Sequence, residues 1–202
     1  VKAEQICKLF LQKNPRNVEG MRLLSQIALK LGVLDDAEFL LESALEFSPN
    51  NSRIRIEYIQ VLRKRQNYAG ALHQAKVLLE MDKENPQFQS VFAIEAMQSG
   101  DFENALIVFD KILEKIPEDP VTLTSRGHLL KTCGEREKAI DSYRRAIKKY
   151  PGHGEAYFSL SNLKLFKFSD EDIVLMEDQE GSDRVGHMSK IYLNFALGKA
   201  YE

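Results

Sequence analysis

Histidine and cysteine side chains are the first candidates for metal binding or nucleophilic chemistry in this sequence. They stand at six separate positions: His73, His128, His153, His187, Cys7 and Cys133. None of the histidines has another histidine, a cysteine or a carboxylate at a spacing suited to zinc. A reactive thiol is one interpretation of Cys133, which lies near Lys131, but packing or partial exposure is favoured. The sequence therefore predicts no metal site.

The stretch SDEDI, from Ser169 to Ile173, concentrates carboxylates that could bind a divalent cation. It lacks the glycine and the alternating oxygen ligands of a calcium loop. Ser169 and Asp172 instead have the spacing of a capping box, in which each side chain bonds to the other residue's backbone amide. The start of a helix is the favoured interpretation, and metal binding is the alternative.

Glycine usage bears on catalysis, because a phosphate-binding loop needs clustered glycines between a strand and a helix. The 11 glycines of this chain are mostly single and well separated. No cofactor is predicted, and the chain by itself is predicted not to be an enzyme.

Composition and charge exclude several classes of protein. The 202 residues are 44% hydrophobic, and their net charge of −2 gives no global attraction to nucleic acid or an anionic membrane. The most basic run, YRRAIKKY, begins at Tyr143; its basic residues fit the outer face of a helix better than a nucleic-acid contact. No uncharged apolar run approaches membrane-spanning length. Two widely spaced cysteines fit a reducing compartment, so a cytoplasmic protein is predicted.

Three residue types recur at intervals of 34 residues or multiples of it. The prolines are Pro15, Pro49, Pro117 and Pro151, with Lys83 at the missing position. The alanines are Ala3, Ala37, Ala71, Ala105 and Ala139, and the glycines are Gly32, Gly100 and Gly134. The apolar residues between them follow the helical period, which predicts an array of helical repeats.

This pattern resembles the tetratricopeptide repeat, a helix-turn-helix unit, over nearly the whole chain. In such a unit the glycine ends the first helix, the alanine lets the two helices approach closely, and the proline ends the second helix. The resemblance implies an all-α fold, a right-handed superhelix of tandem repeats.

The recurring residues divide the chain into seven segments. These are the second helix of a truncated repeat at 1–17, full repeats at 18–51, 52–85, 86–119 and 120–153, a divergent repeat with an acidic segment and a loop at 154–190, and the first helix of a truncated repeat at 191–202. Because both end helices lack a partner, we expect the native protein to continue in both directions. Self-association through these uncovered helices is a further hypothesis.

A second resemblance concerns the end of the chain. The stretch SNLKLFKFSDEDI from Ser161, followed by FALGKAYE from Phe195, resembles the last repeats of bacterial proteins that fuse a tetratricopeptide array to a sulfotransferase domain. The resemblance implies a downstream enzyme that takes sulfate from a phosphoadenosine cofactor. No catalytic or cofactor-binding residue of that family falls within this sequence.

The register of the repeats predicts which residues line a peptide-binding groove, because the first helix of each repeat faces the concave side. The predicted groove comprises Arg22, Arg53, Ile56, Gln60, Arg63, Ile94, His128, Phe158, Asn162, Phe195 and Lys199, and the same register includes Leu165. Its first part is basic and its last part is aromatic, which favours a peptide or helix carrying both acidic and apolar residues. The alternative is that the arginines are a solvated face and the aromatic residues pack against the next helix.

Two functions follow from these patterns. The favoured hypothesis is a protein-interaction scaffold, part of a larger bacterial protein, that binds an unknown protein or peptide. The alternative is a substrate-presenting or regulatory region of a sulfotransferase.

Overall fold

The computed structural model describes residues 2–164 and 166–202, which contain α-helices and no strand. In chain order the helices are α1 Lys2–Lys13, α2 Val18–Lys30, α3 Leu34–Phe47, α4 Ser52–Lys64, α5 Tyr68–Met81, α6 Pro86–Gln98, α7 Phe102–Lys115, α8 Pro120–Thr132, α9 Arg136–Lys149, α10 Gly154–Ser161, α11 Asp170–Gly181 and α12 His187–Ala200. None of these helices is long and apolar enough to cross a membrane. The predicted all-α class is confirmed.

The helices form two compact units, with α1 to α6 in the first and α7 to α12 in the second. In the first unit, each helix packs against the next one along the chain. In the second unit the same order holds from α7 to α10, and α12 then packs against both α10 and α11. Packing between neighbours in the chain is the arrangement expected of helical repeats.

Short polar side chains fix the starts of four helices. Asn17, Asn51, Asn85 and Asp119 recur every 34 residues and cap α2, α4, α6 and α8. The Asn17 side chain accepts a hydrogen bond from the Gly20 amide at 2.7 Å, which satisfies a donor that has no partner inside the helix. These caps were not among the predicted features, although their 34-residue spacing is visible in the sequence.

Glycines end the first helix of three repeats in the left-handed conformation, as predicted. The φ angles of Gly32, Gly100 and Gly134 are 77°, 85° and 82°. Gln66 occupies the same repeat position, and it also has a positive φ, of 61°. The turn geometry therefore persists where its usual residue is absent, at a cost in backbone strain.

Four of the five recurring alanines lie in the core, whereas Ala3 on α1 is exposed. Ala37, Ala71, Ala105 and Ala139 are fully buried in α3, α5, α7 and α9. A methyl side chain allows two helices to pack closely while the larger residues beside it fill the core. Leu41, Phe109 and Tyr143 are fully buried neighbours of this kind.

The chain becomes irregular after the fourth full repeat. Helix α10 has 8 residues, whereas α2, α4, α6 and α8 each have 13. The predicted capping box of Ser169 and Asp172 is confirmed and starts α11. Helix α12 begins at His187, earlier than the position 191 that marks the last predicted segment.

Candidate functional site

The predicted groove residues fall in both units. The first unit holds Arg22 on α2, Arg53, Ile56, Gln60 and Arg63 on α4, and Ile94 on α6. The second unit holds His128 on α8, Phe158 on α10, Asn162 just after α10, and Phe195 and Lys199 on α12. Leu165 lies outside the described residues.

Arg22 is buried in the first unit, with 4% of its surface exposed, and bonds to carboxylates of its own chain. Its Nε donates to Glu19 at 2.9 Å and its Nη1 donates to Glu57 at 2.8 Å. The hydrogen bond to Glu19 is the main cause that raises the pKa of Arg22, against the opposing effect of burial. Arg53 is exposed, and its Nε lies 3.8 Å from the same Glu57 carboxylate. The positive charge on this surface is therefore largely neutralised by Glu19 and Glu57.

Arg63 forms an ion pair with Glu95 at the other end of α4. The Arg63 Nη2 and Glu95 Oε1 atoms are 3.1 Å apart, and Glu95 is only 1% exposed. Burial raises the pKa of Glu95 although Arg63 acts in the opposite direction. Ile56 and Ile94 are half-buried and Gln60 is exposed. The first unit thus offers few cations to a ligand carboxylate, in contrast to the basic surface that the sequence suggested.

Three aromatic rings cluster in the second unit, and we call Phe158, Tyr192 and Phe195 the aromatic patch; Phe158 and Tyr192 are half-buried, and Phe195 is exposed. The ring centroids of Phe158 and Tyr192 are 5.2 Å apart, and those of Phe158 and Phe195 are 6.0 Å apart in an edge-on arrangement. Phe195 remains 61% exposed. Aromatic pairs with this spacing stabilise one another while leaving ring surface open to a partner.

A close approach of α10 and α12 brings these rings together. Any side chain at Gly154 would collide with the backbone carbonyl oxygen of Ser189, at the start of α12. Ala156 and Ala196, on the two helices, are fully buried. Small residues at these points let the helix backbones lie close together, which places Phe158 against α12.

Polar groups border the aromatic patch on one side. The Lys199 ammonium donates to the Asn162 side-chain oxygen at 2.6 Å. The Asn162 amide in turn donates to the Phe158 carbonyl oxygen at 2.9 Å, where it satisfies an acceptor at the end of α10. Lys131, in the last turn of α8, is exposed. The second unit therefore combines exposed aromatic surface with exposed lysines.

His128 and His153 hold neighbouring helices together in the second unit. The Nε2 atom of His128 lies 2.9 Å from the Ser159 hydroxyl, and that of His153 lies 2.9 Å from the Thr124 hydroxyl. Burial lowers the pKa of both histidines, although the charge of Glu155 opposes this shift. These hydrogen bonds give the two side chains a packing role.

The basic run of α9 differs from the solvated face that its sequence suggested. Arg144 donates two hydrogen bonds to Asp172 on α11, and its guanidinium lies 5.2 Å from the centre of the Phe166 ring. Arg145 donates to the Pro117 carbonyl oxygen at 2.8 Å. Sequence reasoning missed both contacts, because each joins residues that lie 28 positions apart in the chain.

Comparison with known families identifies the fold. The model of the cytochrome c-type biogenesis protein H tetratricopeptide repeat domain matches residues 8–122, more than half of the chain. The chain belongs to the tetratricopeptide repeat family. A tetratricopeptide repeat model also matches residues 122–153. The main resemblance recognised in the sequence is thereby confirmed.

This tetratricopeptide repeat protein has more distant relatives and structural neighbours. The protein CTR9 homolog of Arabidopsis thaliana is 33% identical over 67 residues, which are 33% of this chain and 6% of that protein. A tetratricopeptide repeat protein from Parabacteroides merdae aligns with 100% of this chain and 77% of its own, with a TM-score of 0.75 and 15% identity. YrrB, a tetratricopeptide repeat protein with an unusual peptide-binding site, aligns with 99% of this chain and 95% of its own, with a TM-score of 0.62 and 14% identity.

The similarity to solved structures establishes the fold. The curated relatives are mostly much longer than this chain. The chain spans 6% to 27% of the length of four curated relatives. Tetratricopeptide repeats are generally non-catalytic and support a role as a protein-interaction scaffold. Within the described residues, no group of three or more histidine, cysteine or acidic side chains could hold a metal ion.

Proposed function

We propose that this protein is an interaction scaffold whose second unit binds a peptide or helix on the aromatic patch. The observation that carries the proposal is the exposed Phe195 ring, which packs edge-on against Phe158. Binding sites commonly centre on aromatic residues of this kind, since they bury much surface at a low cost in side-chain entropy. YrrB has the same fold and an unusual peptide-binding site, which supports a peptide as the ligand of this chain.

The chemistry of the partner follows from the border of the patch. An apolar side chain would contact Phe158, Tyr192 and Phe195, and a carboxylate nearby would meet the ammonium of Lys199. This keeps the acidic and apolar partner suggested by the sequence but assigns its charge recognition to lysine. Arg22 and Arg63 contribute little to the proposal, because carboxylates of the first unit already pair with them.

In the test, peptides that bind the purified chain are first selected from a random display library. The affinities of the selected peptides are then measured by fluorescence anisotropy for wild type, Phe195→Ala and Phe158→Ala. We expect each substitution to weaken binding by about tenfold or more, as for a central contact residue. Val174→Ala on α11 is the control, since Val174 is also an exposed apolar residue outside the patch. Selected peptides that bind Phe195→Ala as tightly as wild type contradict the proposal.

The sulfotransferase hypothesis is the second candidate. It rests on the resemblance of two stretches, from Ser161 to Ile173 and from Phe195 to Glu202; in the first of them α10 ends early and a capped α11 follows. In this proposal the array belongs to a bacterial protein and presents an acceptor substrate to a downstream catalytic domain. Translating the source gene beyond the codon for Glu202 tests it: a strand, a phosphate-binding loop and a helix must follow, and a different continuation contradicts it.

Self-association and location complete the proposal. The α1 side chains Ile6, Leu9 and Phe10 are exposed beside Leu23, and they form an apolar face that a second copy could cover. Sedimentation of wild type and Leu9→Ser at several concentrations tests this, with a dimer lost in the variant as the expected result. A cytoplasmic location fits the two free cysteines.

A further inference from the structure

The first unit contains a pocket of about 220 Å³ between α1, α2 and α3. Apolar side chains form most of its surface: Leu24, Ala28, Leu31, Val33, Phe39 and Leu40. Phe39 forms one wall of the pocket and is 68% exposed. Among the described residues, its ring contacts no other aromatic ring and no cation. The pocket involves none of the predicted groove residues.

Ala28 on α2 is a small residue in the lining of the pocket. Its repeat position holds Leu62, Ala96 and Leu130 in the second, third and fourth full repeats. Both leucines are 2% exposed, and Ala96 is fully buried. Leucine is therefore accepted at this position of the repeat, and at position 28 its longer side chain would take up pocket volume.

The rim of the pocket is mildly acidic. Helix α3 carries five carboxylates and no basic residue, and one of them, Asp36, lines the pocket. Arg65 pairs with Asp35 and Glu38 of the same helix. On the rim of the pocket, Lys8 bonds to Glu4 at 2.6 Å. The rim carries two carboxylates, Glu4 and Asp36, against the single ammonium of Lys8.

We propose that this pocket binds a bulky apolar side chain from a cationic amphipathic helix of another protein. The apolar floor accepts the side chain, and the rim carboxylates Asp36 and Glu4 attract lysine or arginine residues one turn away on the partner. The negative charge of α3 disfavours anionic partners such as nucleic acid or an acidic lipid surface. The site is separate from the aromatic patch and does not depend on the proposed function.

The test uses a labelled helical peptide of about 18 residues with one tryptophan flanked by lysines at helical spacing. One matched peptide replaces the tryptophan with alanine, and another replaces the lysines with glutamates. Fluorescence anisotropy measures binding to wild type, Ala28→Leu and Asp36→Lys, and amide chemical shifts of Leu31, Val33 and Phe39 locate the bound peptide. Phe195→Ala serves as the control variant, because it alters only the aromatic patch.

We expect the tryptophan and lysine peptide to bind wild type and Phe195→Ala equally, and to bind Ala28→Leu about tenfold more weakly. The Asp36→Lys variant should bind the glutamate peptide better than the lysine peptide, and this comparison remains decisive if Ala28→Leu fails to fold. Three results would overturn the proposal. The tryptophan and lysine peptide binds Ala28→Leu as tightly as wild type, wild type binds the lysine and glutamate peptides with equal affinity, or wild type does not bind the tryptophan and lysine peptide.

Discussion

Arg144 donates two hydrogen bonds to Asp172 and thereby joins α9 to α11 in the second unit. Asp172 has a second role in the same place, because its carboxylate accepts a hydrogen bond from the Ser169 amide at 2.9 Å. The Arg144 guanidinium also lies over the Phe166 ring. One carboxylate therefore fixes both the start of α11 and the segment that precedes it.

Replacing Asp172 with asparagine should lower the free energy of unfolding by about 1–3 kcal/mol, because the charged hydrogen bonds from Arg144 are lost. Urea denaturation followed by circular dichroism measures the change. The control is Asp170→Asn, the same chemical change at an exposed position of α11, which should cost about 0.5 kcal/mol. Equal losses in the two variants would show that Arg144 adds nothing.

The same pair should make stability sensitive to acid. Burial opposes ionisation of Asp172, but the hydrogen bonds from Arg144 and Ser169 outweigh it and lower the pKa of that carboxyl below 3.8. Its stabilising effect is therefore present above the ordinary pKa and is lost as the pH falls through the lowered value. In Asp172→Asn, the free energy of unfolding should therefore fall less between neutral and acidic pH than it does in wild type.

Gly154 should be intolerant of any side chain. An added Cβ would collide with the Ser189 carbonyl oxygen, so Gly154→Ala should destabilise the chain by about 1–3 kcal/mol and disturb the ring contact of Phe158 with Tyr192. Gly198→Ala is the matched control on α12, where a Cβ meets open space, and it should stabilise by about 0.5–1 kcal/mol. Thermal denaturation of both variants gives the comparison, and two changes of the same sign would contradict the close approach.

The buried histidines should make the second unit less stable in mild acid. Burial lowers the folded-state pKa values of His128 and His153 below 6.5, despite the charge of Glu155. Their contribution to stability is complete above the unfolded pKa and declines as the pH falls toward the folded values. The free energy of unfolding should thus be lower at about pH 5.5 than at about pH 7.5. The double variant His128→Asn, His153→Asn should show a smaller difference, while His187→Asn, which alters an exposed residue, should behave as wild type.

Replacing Gln66 with glycine should stabilise the protein. Its φ of 61° is a strained conformation for a residue with a Cβ atom, so Gln66→Gly should raise the free energy of unfolding by about 1 kcal/mol. Lys64→Gly tests the reverse case, because Lys64 lies in the last turn of α4, where glycine should destabilise by about 0.5–1 kcal/mol. A loss of stability in Gln66→Gly would mean that contacts of the glutamine side chain exceed the strain.

The repeat fold was predictable because its signals are local. Gly32, Gly100 and Gly134 mark left-handed turns, and the buried alanines mark close helix contacts at the same interval. Such residues act through their own backbone conformation or through one neighbouring helix, so their spacing alone predicts helices and turns. The capping box of Ser169 and Asp172 was predictable for the same reason.

The candidate sites depended on which side chains meet across helices. The sequence predicted Arg22 and Arg63 as groove cations, but only the packed helices place Glu57 and Glu95 beside them. Likewise, the phenylalanines were recognised as candidate anchors, whereas their ring contacts require the close approach at Gly154. A shift of one turn displaces a side chain by about 5.4 Å along its helix, which is enough to make or break such a contact. The sequence by itself therefore determined the repeats and their turns, while only the tertiary structure decided which charges are neutralised, which rings stay exposed and where a pocket lies beside Ala28.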